Sequence, residues 1–156
     1  DDITLGSASS LIGQTEGTIY VEVYWQETSG VEQVLLSVND GGINNRFFIY
    51  YNHIDVQLKM SARANSSIVT DNGLSTSGLS GIQKVAFAYA NGDQEFYHNG
   101  SSIATGTGSL TALATLTDID LGQRYDATQQ VNMWIRAVAL FTRRLSDAEA
   151  QALTTL

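Results

Sequence analysis

The chain has 156 residues, 43% of them hydrophobic and 15% charged, with a net charge of −8, no cysteine and no proline. That length gives one domain, 1–156, which buries roughly 70% of the surface its unfolded chain exposes. Eight scattered Lys and Arg make no basic patch for nucleic acid, no apolar run approaches the ~20 residues of a membrane-inserted helix, and without cysteine there is neither a disulfide framework nor a thiolate zinc site.

A chain that opens on Asp1 without Met is expected to be a processed or excised domain. Residues 3–10 read as a first edge strand. Residues 17–26 alternate strictly, with Ile19, Val21, Val23 and Trp25 on one face and Tyr20, Glu22, Tyr24 and Gln26 on the other. The first face is apolar and belongs to the core; the second is half-polar and expected to be wet. Residues 32–39 form the next strand, with Val34, Leu36 and Val38 in one phase. After the Asp40-Gly41-Gly42 turn, residues 46–52 set Phe47, Ile49 and Tyr51 against Phe48 and Tyr50. Residues 54–60 alternate as well, so Asn52-His53 reads as a two-residue connection.

Residues 64–81 are polar and poor in aromatics, and read as a short strand near 67–70 followed by an exposed loop. Residues 84–106 are three short strands joined by tight turns at Asn91-Gly92 and Asn99-Gly100, residue types that tolerate positive φ. Residues 110–117 form a loop whose apolar side chains are placed over an open end of the core, and 119–123 are a short strand. In 131–142 the phase slips after Ile135; a bulge near Arg136-Ala137 would return Val131, Met133, Ile135, Val138 and Leu140 to one face. The chain ends in a helix of about ten residues. Ser146 and Glu149 complete a capping box, and Ala148, Ala152 and Leu156 form the expected buried stripe. About ten strands with turn signals between them predict an all-β, two-sheet antiparallel sandwich with one short C-terminal helix.

At Phe96, Asn99 and Gly100, and again at Arg143, Leu145, Ser146 and Glu149, the chain resembles the laminin-G-like branch of the concanavalin A-like lectin/glucanase superfamily. Its proline-free, Asn/Ser/Gly/Thr-rich style is similar to such domains in phage tail and virion-appendage proteins. The resemblance implies a jelly-roll sandwich with one concave sheet. It also implies a glycan or protein ligand, in some members with calcium, and a virion or extracellular setting.

The chemistry must come from the residues. The paired carboxylates of a retaining glycosidase have no Glu-x-Asp-x-x-Glu run here. Asp118 and Asp120 share a strand face, but Gly122 takes the next position in phase. His53 and His98 lie in hairpin contexts without a nucleophile elbow and read as polar turn residues. Asp118, Asp120 and Asp126 cluster in sequence as in a calcium site, although solvated turn carboxylates explain them as well, so calcium stays open as a cofactor and the metal ligands stay unassigned.

Sugar recognition uses aromatic faces with carboxylates, amides and arginines beside them. Two groups fit: Tyr20, Glu22 and Tyr24 on the non-core strand face, beside Tyr50 and Asn52, and the loop trio Arg124, Tyr125 and Asp126. Ordinary cross-strand aromatic packing is the rival explanation for each. Trp134 stays open between core and ligand. The expectation is a non-catalytic module that binds cell-surface carbohydrate, with homo-oligomers open and no nucleic acid or membrane insertion. The alternative is a structural decoration or assembly domain acting through protein contacts.

Overall fold

The computed structural model describes residues 3–26 and 30–156. The described residues form eleven strands and two helices. In chain order these are β1 (Ile3–Gly6), α1 (Ala8–Leu11), β2 (Glu16–Trp25), β3 (Gln33–Asn39), β4 (Arg46–Asn52), β5 (Gln57–Ala64) and β6 (Ser67–Ser75). Then follow β7 (Gly81–Ala90), β8 (Asp93–His98), β9 (Ser101–Gly106), β10 (Asp118–Leu121), β11 (Trp134–Phe141) and α2 (Asp147–Thr154). One sheet runs β1-β10-β3-β4-β5-β6 and the other β11-β2-β7-β8-β9, every pairing antiparallel. This is the two-sheet antiparallel sandwich expected from the alternation, in the jelly-roll form that the resemblance implies.

The core lies between the sheets. Ile19, Val21, Val23, Phe87, Tyr89 and Phe96 meet Leu36, Val38, Phe47, Ile49, Leu58 and Met60 across it. Phe47 stacks on Tyr89 with centroids 4.3 Å apart, and Trp25 packs edge-on to Tyr51 at 5.7 Å. The three-strand stretch is β7, β8 and β9. Its second turn has positive φ at both Asn99 and Gly100, the geometry of a type I′ hairpin. The 110–117 loop buries Leu110 and Leu116 over one end of the core, beside Ala8 and Ile12 of the α1 segment.

Several expectations need correction. The short helix α1 replaces the second half of the strand expected over 3–10. A bulge between Val34 and Leu36 turns Val34 away from the core and puts Leu35 into it. The β4–β5 connection spans 53–56, because the Asn52 side chain accepts from the Ile54 and Asp55 amides and Val56 takes positive φ. Ile54 and Val56 are therefore exposed. β6 is an edge strand of nine residues that begins where the short strand was expected and runs on through Ser75; an edge strand needs no apolar alternation, so its second half reads as a loop. The last strand starts at Trp134, and its register shifts between Ile135 and Ala137, the bulge expected there. Val131, Met133, Ile135, Val138 and Leu140 all pack on the core.

Helix α2 lies on the outside of the five-stranded sheet, over Tyr20, Ala86, Ala88 and Tyr97. Its buried positions are Ala150 and Thr154, with Leu153 partly buried; the stripe expected at Ala148, Ala152 and Leu156 faces solvent. The capping box is complete: the Ser146 hydroxyl accepts from the Glu149 amide, and the Glu149 carboxylate accepts from the Ser146 amide at 2.9 Å. Leu145 anchors the entry, its amide donating to Thr18 Oγ1 at 2.9 Å, and Tyr97 donates to Asp147 at 2.8 Å. Arg143, followed by Ser146, holds the Glu149 carboxyl down at about 2. A depressed carboxyl stabilises fully above its ordinary 4.5 and ceases to do so as pH falls toward 2. Ser146→Ala is expected to cost about 1 kcal/mol in urea unfolding, or roughly 2–4 °C in melting temperature. The difference from wild type should shrink in melts taken below pH 4.5.

Candidate functional site

The two groups of candidate residues occupy opposite sides of the molecule. Tyr20, Glu22 and Tyr24 point outward from the five-stranded sheet. Tyr50 and Asn52 belong to β4 and point outward from the six-stranded one. No single groove joins them, because the whole core lies between. Tyr20 is also under α2, and its hydroxyl donates to Glu22 at 3.1 Å. Burial, then the Glu22 carboxylate, raises that phenol to about 12. The expectation of a wet face thus fails at Tyr20 and holds at Tyr24, which is exposed. Asn52 spends its side-chain oxygen on the 53–56 turn.

The outward face of the six-stranded sheet gathers the rest. After Leu121 the chain leaves β10 and folds back across this sheet. The Gly122 amide donates to Leu35 O, and the Val34 amide donates to Gln129 O. That path brings Tyr125 onto Val34, Phe48 and Tyr50, an apolar cluster separate from the core. Arg124 lies over the Tyr125 ring at 4.7 Å and donates to its hydroxyl at 2.6 Å; Asp126 stands 3.5 Å from the same guanidinium. Thr128 is the first cause, ahead of Arg124, of a lowered Asp126 carboxyl. Tyr50 donates to Asp71 at 3.0 Å, and burial raises its phenol, with Asp71 adding to the effect.

Two arginines not singled out in the sequence complete this face. Arg46 on β4 sits directly opposite Arg63 on β5. Like charges at a cross-strand pair are destabilising, and here they stand on an acidic chain that has only eight Lys and Arg in all. Arg46 is buried, covers the Phe48 ring at 4.3 Å and donates to the Ile43 carbonyl. Its pKa falls to about 10, chiefly from burial and then from Arg63 and Arg124. Nε of Arg46, of Arg63 and of Arg124 is buried without a hydrogen-bond partner among the described residues. Arg144 Nε, over the other sheet, is unpartnered in the same way; what sets this face apart is three guanidiniums together, the group suited to carboxylate or phosphate oxygens. A two-residue turn at Asn52-His53 would have paired Arg46 with Lys59, so the sequence hid the Arg46–Arg63 pair.

The carboxylate pair on β10 is otherwise engaged. Asp120 is buried and accepts from Thr4 Oγ1 at 2.7 Å and Asn39 Nδ2 at 2.8 Å. Among the described residues no group of three or more His, Cys, Asp or Glu side chains is placed to hold a metal ion. None of their helices is long and apolar enough to cross a membrane.

Among curated proteins, none matches the sequence. Solved structures do. The intramolecular trans-sialidase of leech, complexed with 2,7-anhydro-Neu5Ac, superposes on all of this chain with a TM-score of 0.74 at 16% identity; the chain spans 27% of that protein. The CBM40 of the Ruminococcus gnavus IT-sialidase, bound to α2,6-sialyllactose, covers 99% of the chain and is itself covered to 96%, at a TM-score of 0.68 and 18% identity. A structure of botulinum neurotoxin type C, whose cell entry depends on interaction with two ganglioside molecules, matches 98% of the chain over 42% of its own length, at a TM-score of 0.71 and 16% identity. At such identities the likeness is one of fold. The family is carried by the sequence itself: a laminin-G model of the superfamily matches residues 1–151, and the chain belongs to the concanavalin A-like lectin/glucanase superfamily.

Proposed function

We propose that this domain is a non-catalytic carbohydrate-binding module for cell-surface glycans that carry a carboxylate, with sialic acid as the leading sugar. The observation that carries the reading is the gathering of Arg46, Arg63 and Arg124 beside Tyr125 on one face of an acidic chain. Guanidinium groups supply bidentate bonds to a carboxylate, and the partly buried Tyr125 ring is the aromatic surface beside them, with Tyr50 buried beneath it. The sialyllactose and ganglioside named for the neighbouring structures are ligands of this class. The structural engagement of Asp120 supports a binding role over a hydrolytic one. The module would work outside the cell, on a virion or another extracellular protein, with several copies raising a weak single-site affinity.

Isothermal titration with α2,3- and α2,6-sialyllactose tests this directly. Binding is expected to weaken as salt rises. Arg63→Gln should lower affinity about tenfold or more, roughly 1.4 kcal/mol. Neutral lactose should not compete; equal binding of lactose would sink the reading. The same substitution relieves the repulsion with Arg46, so the unliganded Arg63→Gln protein should melt no lower than wild type. A gain on the order of 0.5 kcal/mol is expected from a like-charge pair. An arginine kept for stability would show the reverse.

A further inference from the structure

The opposite face of the sandwich carries a second arrangement that the arginine site does not use. Trp134 is 69% exposed and Tyr24 is 38% exposed, whereas the other tryptophan, Trp25, is buried at 4%. Trp134 and Tyr24 are direct cross-strand partners on β11 and β2. Their rings lie 5.9 Å apart at 40°, forming a shallow V. One register step along, Glu22 holds Arg136 through Nε at 2.7 Å and also accepts from Tyr20. At the bulge Ala137 takes the position opposite Glu22, and Arg136, the extra residue, still reaches the Glu22 carboxylate. The indole also walls one side of an open groove of about 500 Å³, which Ile3, Leu121 and Val131 line with it.

We propose that Tyr24 and Trp134 form a second sugar-binding site, one for an uncharged pyranose. An aromatic pair left open to water at this cost in exposed apolar area is a platform seeking a flat, half-apolar partner. A pyranose face meets that description. Its hydroxyls need planar donors and acceptors fixed at the rim, and the Glu22–Arg136 pair provides both. Arg136 keeps its Nη groups without a partner among the described residues. The Glu22 carboxylate offsets the Arg136 charge, and Lys84, opposite Glu22 on β7, donates to the Thr155 carbonyl just past α2. Helix α2 covers the neighbouring Tyr20 and stops short of Tyr24, so the platform is bounded on that side.

The test uses nitrogen-15 spectra of the whole chain, in which the two indole NH signals distinguish Trp134 from Trp25. Maltohexaose, cellohexaose, xylohexaose and chitohexaose are titrated in turn to millimolar concentration. At least one is expected to shift the Trp134 signal saturably and leave that of Trp25 in place. Tyr24→Ala should weaken that binding about tenfold, and Arg63→Gln should leave it unchanged, which separates this site from the sialyllactose site. Trp134→Phe assigns the signal and should retain part of the affinity. If no hexasaccharide moves the Trp134 signal, the proposal fails. It fails equally if Trp134→Ala turns a dimer into a monomer by light scattering with no effect on sugar, because the rings then serve a protein contact.

Discussion

The structure depends on one constraint, the alternation of side chains across two sheets that share a single core. Every strand but β1, which is exposed along its length, spends one face on that core and has the other left over. In the six-stranded sheet the leftover face carries Val34, Phe48 and Tyr50 beneath Arg46, Arg63 and the folded-back Arg124-Tyr125 loop. In the five-stranded sheet it is divided. Helix α2 seals the half around Tyr20 and Tyr97, and Tyr24 and Trp134 keep the other half open.

Both arrangements run against what stability alone would select. Two arginines directly opposed across β4 and β5 repel each other, and burial already lowers the Arg46 pKa toward 10. A tryptophan left mostly in water forfeits the burial its large apolar surface would gain. Positions where a fold gives up stability without a local gain are where function is expected. The two positions differ in chemistry: three guanidiniums gather on one side, and an exposed aromatic pair stands beside the Glu22–Arg136 ion pair on the other.

Much of the fold was legible because its signals are local. The Asn99-Gly100 turn, the Ser146–Glu149 capping box and the phase slip at Arg136 each lie within a few residues, and each is present in the structure. What was illegible involved distance. Tyr20 and Tyr24 have the same phase on β2, yet only Tyr20 lies under a helix that arrives more than a hundred residues later. Arg46 and Arg63 become neighbours only if the intervening turn has four residues, and that length follows from Asn52 bonding the Ile54 and Asp55 amides. The site was half legible for the same reason: Tyr50, Arg124 and Tyr125 could be named singly, but not as one cluster without Tyr20 and Glu22.

By itself the sequence determined that this chain is a two-layer β protein, which strands exist, and which face of most of them is apolar, because a period of two is written residue by residue. Only the tertiary structure decided which outward faces stay open, which charges meet, and that the two aromatic groups lie on opposite sides. Those outcomes depend on strand order and on where a helix and a loop come to rest, and such placements are set by packing between segments far apart in the chain.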